Sequence, residues 1–176
     1  RNKMPKSGQN TENNGREGYH MKIRRAEERD IPRLGELLLQ VCRVHQQGRP
    51  DLFRAGGRKY DDAELQTLLR DGERPILVAE DEAGQVAGYA FCVYQRHQNE
   101  GSFNDLTTLY LDDLCVDESC RGKQVGKSLY EAVLDLARSA GCYNVTLNVW
   151  SCNPGAMRFY EKCGLKQQKV GMELIL

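Results

Sequence analysis

The residues best suited to chemistry lie in Asp117-Glu118-Ser119-Cys120-Arg121-Gly122-Lys123-Gln124-Val125-Gly126-Lys127-Ser128. This segment falls between a stretch that reads as a strand, Thr107 to Val116, and one that reads as a helix. The helix carries Leu129, Val133, Leu136, Ala137 and Ala140 on one side. Backbone N–H groups at such a helix start are unpaired and the helix dipole is positive there, so an anion is welcome. Arg121, Lys123 and Lys127 add charges for several phosphates, and Gly122 and Gly126 let the backbone approach a ligand closely. Gly126-Lys127-Ser128 matches the end of a nucleotide P-loop, but that loop needs four residues between its glycines. Gly122 and Gly126 enclose three, so the register fails. A dinucleotide fingerprint fails too, because no Gly-x-Gly-x-x-Gly is present. A basic loop that only caps a helix is the simpler alternative.

The elements that must position this turn are readable from patterning. Lys22 to Ala26 reads as a first strand. Asp30 reads as an N-cap, with Pro32 in the first turn and Ile31, Leu34, Leu37, Leu38, Val41 and Val44 at helical spacing. A loop from Gly48 to Lys59 carries Arg49, Arg54, Arg58 and Lys59, and Asp61 with Glu64 opens a second helix through Leu69 as a capping box. Pro75 to Glu80 and Gln85 to Tyr94 form an expected hairpin about the Glu82-Ala83-Gly84 turn, and Gln95 to Asp105 is a loop. After the helix, which Gly141 stops, come a strand from Tyr143 to Trp150 and a short helix from Asn153 to Cys163 ended by Gly164. A last strand is expected from Lys169 to Leu176. The strand-helix-strand from 107 to 150 predicts a right-handed crossover with parallel strands, and the antiparallel strands before it make the fold mixed α/β.

The chain has 176 residues, 40% of them hydrophobic and 28% charged, which suits one packed domain rather than disorder. Lys and Arg number 25 against 25 Asp and Glu, a balance that argues against a nucleic-acid-coating role. Residues 1–20 are polar and almost free of apolar side chains, and are expected to be an expression tail or a disordered arm. Residues 21–176 then form a single domain. Arg1, Lys3, Lys6 and Arg16 against Glu12 and Glu17 make that tail +2, which leaves −2 for the rest. Apolar runs are too short to span a bilayer and no leader opens the chain, so a soluble, cytoplasmic protein is expected. The seven cysteines and three histidines are scattered without a Cys-x-x-Cys pair, so no metal site is expected and the thiols read as reduced.

From about Met21 to the end, and most strongly from Leu111 to Leu165, the chain resembles the GNAT superfamily of N-acetyltransferases. Arg121-Gly122-Lys123-Gln124-Val125-Gly126 is similar to that family's Arg/Gln-x-x-Gly-x-Gly/Ala signature, departing where Gln124 replaces the first glycine. Leu114-Cys115-Val116 resembles the strand that pairs with the pantetheine arm. The run from Asn153 to Leu165 resembles the Asn-x-x-Ala-x-x-x-Tyr-x-x-x-Gly-Phe segment. The resemblance implies a mainly antiparallel sheet with one parallel β-α-β crossover and flanking helices. It implies acetyl-CoA as cosubstrate, a small-molecule or peptide amine as acceptor, and pairing of two copies into a homodimer. It further implies that Leu114, Cys115, Val116, Arg121, Gly122, Lys123, Gln124, Val125, Gly126, Lys127, Ser128, Asn153 and Tyr160 bind the cosubstrate. The N–H of Leu114 would face the thioester oxygen, and those of Val125, Gly126 and Lys127 the pyrophosphate.

Acetyl transfer to an amine needs a neutral nucleophile, a donor to the oxyanion and a proton for the departing thiolate. Tyr160 shares one helical face with Asn153, Ala156 and Met157, and a phenol stays protonated at neutral pH; the resemblance makes it the expected general acid, an interface aromatic being the alternative. Asp112 and Asp113 adjoin on a strand and are expected to point to opposite faces. The resemblance favours Asp112 as base, acting through water; a plain strand-end carboxylate is the alternative. Asn148 cannot serve as a base, and Tyr143 and Trp150 read as packing. Asp105, Asp112 and Asp113 suit a cationic acceptor, whereas Arg49, Arg54 and Arg58 suit a carboxylate, so the acceptor stays open. A non-catalytic acyl-CoA-binding module remains a second reading.

Overall fold

A computed structural model describes residues 21–176. The expectation for residues 1–20 lies outside the described residues.

Strand β1 spans Lys22–Arg25, helix α1 Ile31–Gly48, helix α2 Asp62–Leu69, strand β2 Ile76–Glu80 and strand β3 Val86–His97. Strand β4 spans Leu106–Val116, helix α3 Val125–Ser139, strand β5 Asn144–Thr146 and helix α4 Pro154–Lys162. The sheet runs in chain order from β1 to β5, antiparallel throughout except for the parallel β4–β5 pair. This is the mixed α/β architecture expected, with the 15-residue α3 forming the crossover.

Both faces of the sheet are covered, which is why β2 is apolar without alternation. On one face Leu34, Leu37 and Leu38 of α1 and Leu65 of α2 pack on Ile76, Val78, Tyr89, Phe91 and Cys115. On the other, Val125, Leu129, Val133 and Ala137 of α3 pack on Leu77, Ala79, Ala90, Cys92, Leu109 and Leu111. The α2 capping box forms as expected, with Asp61 accepting from the Glu64 N–H and Glu64 from the Asp61 N–H, both at 2.8 Å.

Four expectations need correction. Asp30 does not cap α1 through its side chain; its carboxylate is drawn to Arg24 at 2.7 Å and to the Glu27 N–H at 2.8 Å. Strand β3 continues to His97 because Gln95, Arg96 and His97 find partners in Thr108, Thr107 and Leu106. Strand β5 is only Asn144–Thr146, and no strand forms between Lys169 and Leu176. A strand needs a ladder partner, and β5 pairs only with β4 and ends the sheet. Val170, Met172, Leu174 and Ile175 are exposed instead.

The fourth correction concerns Asp112 and Asp113. Phe91 pairs with Asp113 and Cys92 with Leu111, so Asp112 is the extra residue of a β-bulge. The bulge resets side-chain alternation and turns both carboxylates towards α1 and α2. Asp112 meets Tyr60, Asp113 meets Tyr89, and both rings contact Phe91.

Candidate active site

The phosphate-suited turn sits where β4 leaves the sheet. Asp117 anchors it: its carboxylate accepts from the Ser119 hydroxyl and N–H, from Gln40 at 3.0 Å and from Arg33 at 2.5 Å. Ser119, with Gln40 and Arg33 of α1, thereby holds the carboxyl well below the usual carboxylate range. The Asp117 N–H donates to Ala87 of β3, closing the antiparallel ladder beyond Val116.

Helix α3 starts on Gln124, which adopts a left-handed conformation with φ 66° and ψ 4°. Within the helix Ser128 is the first residue to donate back, to the Gln124 carbonyl at 3.0 Å. The N–H groups of Val125, Gly126 and Lys127 therefore have no intrahelical acceptor. They open on a groove of about 240 Å³ lined by Val116, Cys120, Arg121, Gly122, Gln124, Val125, Gly126, Lys127 and Phe159. A Cβ on Gly126 would lie 3.4 Å from Val116 and 3.5 Å from the Phe159 ring, so the glycine keeps this groove open.

Seven of the expected cosubstrate residues line the groove: Val116, Arg121, Gly122, Gln124, Val125, Gly126 and Lys127. Six do not. Lys123 lies outside the lining, as does Ser128, whose hydroxyl bonds to Gln124 within the first helical turn. Asn153 caps α4, accepting from the Ala156 N–H at 3.1 Å. Cys115 turns its thiol into the α1 side, 3.5 Å from the Leu37 carbonyl, and burial pushes that thiol up to about 12. Leu114 is half-buried on the α3 side. Because the Asp117 N–H points to β3, strand alternation turns the N–H groups of Val116 and Leu114 to the opposite edge. Pairing of β4 with β5 stops at Tyr110 and Thr146, so that edge is open beside Leu114.

Tyr160, the last of the six, projects from α4 beside the groove. Its ring lies 6.3 Å from that of Tyr130 and 5.1 Å from that of Phe159, edge-on to each. Burial first, and the Asp113 carboxylate second, push its hydroxyl above the usual phenol value. The hydroxyl has no hydrogen-bond partner among the described residues, which leaves its proton available.

The two carboxylates occupy different surroundings on the α1–α2 side. Asp112 accepts from the Tyr60 hydroxyl at 2.7 Å and pairs with Lys59 Nζ at 2.8 Å; its side chain is 15% exposed. Asp113 is half-buried and accepts from the Tyr89 hydroxyl at 2.9 Å. Burial pushes it up to about 6, against the lowering pull of Tyr89 and Lys59. Burial and then Lys59 lower His45, so a neutral imidazole lies near the same ammonium.

Phe159, Cys120 and Tyr60 were not foreseen as site residues. Phe159 adjoins Tyr160 and Cys120 adjoins Arg121, so their neighbours carried the only signal. Of the basic loop residues, Arg49 is committed to Asp51 and Glu173 and Arg58 to Asp62, whereas Lys59 reaches Asp112. Trp150 packs edge-on against Phe53 at 5.2 Å, in keeping with its packing role, whereas Tyr143 is 75% exposed. Among the described residues no cluster of His, Cys, Asp and Glu could hold a metal ion, and no helix is long and apolar enough to cross a membrane.

A family model described as the acetyltransferase (GNAT) family matches residues 38–165. The chain belongs to that family. The acetyltransferase match contains α2, the whole sheet except β1, the groove and α4. Among its relatives, a glucosamine 6-phosphate N-acetyltransferase of Arabidopsis thaliana is 40% identical over 63 residues, covering 36% of this chain and 40% of that one. Glucosamine 6-phosphate N-acetyltransferase 1 of Oryza sativa is 32% identical over 102 residues, covering 56% of this chain and 57% of that one. These matches thus span about half the length of the curated relatives. Among solved structures, a tetramutant of the BH1408 protein from Bacillus halodurans superposes with a TM-score of 0.85 at 29% identity, covering 89% of this chain and 100% of that one. The Arabidopsis thaliana glucosamine-6-phosphate N-acetyltransferase structure gives 0.66 at 28% identity, covering 89% and 98%.

The GNAT family uses acetyl-CoA, and the groove fits its pyrophosphate. Free N–H groups of Val125, Gly126 and Lys127, the Arg121 and Lys127 charges, and the space above Gly126 are what a diphosphate requires.

Proposed function

We propose that this protein transfers an acetyl group from acetyl-CoA to a primary amine. The observation that carries this reading is the presence of three features on one face of the sheet: an open helix N-terminus at Val125, an unpaired β4 edge at Leu114, and a Tyr160 hydroxyl with no partner among the described residues.

In this reading the N–H groups of Val125, Gly126 and Lys127 bind the pyrophosphate, with Arg121 supporting the turn. The edges of Leu114 and Val116 hold the pantetheine arm, and the Leu114 N–H donates to the thioester oxygen as negative charge develops there. Asp112 takes the ammonium proton through water, being the carboxylate that already pairs with an ammonium, that of Lys59. The neutral amine then attacks the carbonyl carbon, the carbon–sulfur bond breaks, and Tyr160 protonates the thiolate.

The bulged carboxylates and the partial likeness to amino-sugar acetyltransferases support a cationic small-molecule or peptide amine as acceptor. We place the enzyme in the cytoplasm, because all seven cysteines are free. We also read it as a homodimer, supported by the exposed apolar residues from Val170 to Leu176.

A binding-only reading is favoured by one feature, the Gln124 side chain in the groove lining. Thiol release from acetyl-CoA across a panel of amines separates the two. Turnover that Tyr160→Phe removes supports the enzyme; coenzyme A binding without turnover on any amine supports the binding module.

A further inference from the structure

The proposed base already holds a primary amine. Lys59 Nζ stands 2.8 Å from Asp112 Oδ1 and 3.5 Å from the Asp112 backbone oxygen. It is the group an acceptor ammonium would replace, delivered by the loop that precedes α2. Tyr60 fixes the arrangement, its hydroxyl on the other Asp112 oxygen and its ring stacked on Phe91 at 5.5 Å. Lys59 is not locked in place, since its side chain is 43% exposed.

We infer that Lys59 is a self-acetylation site, the internal acceptor of this enzyme. The inference rests on the acetyltransferase reading above. Leu114 lies two positions beyond Asp112 on β4, about 6–7 Å along a strand, a span that the flexible lysine stem can cross. Asp112 takes a proton from the Lys59 ammonium. The freed Nζ forms a bond to the acetyl carbon, the carbon–sulfur bond breaks, and the thiolate takes the Tyr160 proton. The second proton of the amide nitrogen passes through water to the tyrosinate, which restores Tyr160, and Asp112 releases its proton to solvent. One ammonium and one thioester give one amide, one thiol and one proton released. The neutral acetyl-lysine can no longer pair with Asp112, so the modification leaves that carboxylate open to an external amine.

The test is incubation of the full chain with acetyl-CoA and no added amine, followed by peptide mass spectrometry. Exposed Lys22, Lys166 and Lys169 report spontaneous acetylation. The Lys59 peptide is expected to gain one acetyl group at least about tenfold faster than theirs, as proton transfer by placed side chains provides. The rate should be first order and independent of protein concentration. Lys59→Arg removes that increment, and Tyr160→Phe slows it without changing the three exposed lysines. Equal rates at all four lysines, a rate that rises with protein concentration, or indifference to Tyr160→Phe would each overturn the inference. Thiol release with external amines, run on the same preparation, keeps the two readings apart. Turnover with Lys59 unmodified sinks self-acetylation alone, whereas bound coenzyme A with no transfer to any amine sinks both.

Discussion

The Tyr89 hydroxyl donates to the Asp113 carboxylate at 2.9 Å, with the Tyr89 ring buried in the core beneath α1 and α2 and Asp113 half-buried beside it. Burial disfavours the charged carboxylate and raises Asp113 to about 6, above the 3.8 of an ordinary aspartate. The folded state thus holds this proton more tightly than the unfolded chain does. Stability contributed by protonated Asp113 is present at low pH and is lost as pH rises from the unfolded value through about 6. The loss amounts to about 3 kcal/mol at neutral pH, taking about 1.4 kcal/mol for each unit. Asp113→Asn keeps an acceptor for Tyr89 and removes the charge. Its melting temperature should exceed that of the parent near pH 8, and the gap should narrow towards pH 5. His45, lowered by burial, acts oppositely, since its stabilising neutral form is lost as pH falls; it is common to both proteins and cancels in the difference. A gap that does not change with pH would refute the assignment.

Tyr160→Phe removes only the hydroxyl and leaves the ring against Phe159 and Tyr130. The variant should fold and bind coenzyme A as the parent does. Its kcat should fall by about 10²–10⁴, the usual contribution of a placed general acid. Calorimetric binding and steady-state thiol release measure the two effects separately.

Gln124 sits at φ 66°, where a Cβ costs about 1–2 kcal/mol. Glycine removes that strain but loses more backbone entropy on folding, about 0.5–1 kcal/mol. Gln124→Gly should therefore be up to about 1 kcal/mol more stable by denaturant unfolding. Because the replaced side chain lines the groove, coenzyme A should also bind more tightly. Weaker binding would mean that Gln124 contacts the ligand favourably.

Met172 and Leu174 are 90% and 83% exposed on a segment held to α1 by the Glu173 ion pair with Arg49. Apolar groups so placed are stabilised when a second copy covers them, at about 25 cal/mol for each Å². Light scattering should give twice the chain mass for the parent and a lower mass for the Met172→Asp, Leu174→Asp double variant. Identical masses would exclude this segment as the contact.

Much of the molecule is legible locally. The α2 capping box at Asp61 and Glu64, the apolar stripe of α1 and the turn before α3 each depend on neighbours within a few residues, and all three form. The last expected strand fails because alternation shows that a segment is suited to a sheet without supplying the edge it must join. Asn153 caps α4 through its side-chain oxygen, a local role that its residue type at a helix start also signals.

From its residues alone the chain determines its mixed α/β elements, its family and the glycine-containing turn that opens α3, because helix termini and turn conformations are short-range properties. Tertiary structure decides which side chains meet. It inserts the bulge at Asp112, turns Asp113 to the same face, and brings Tyr60 and Lys59 onto Asp112 from 52 and 53 residues away. It also sets Phe159 against Gly126. The physical reason is register: a bulge is a mismatch between two strands, and a shared face exists only once both strands and the helices above them are in place.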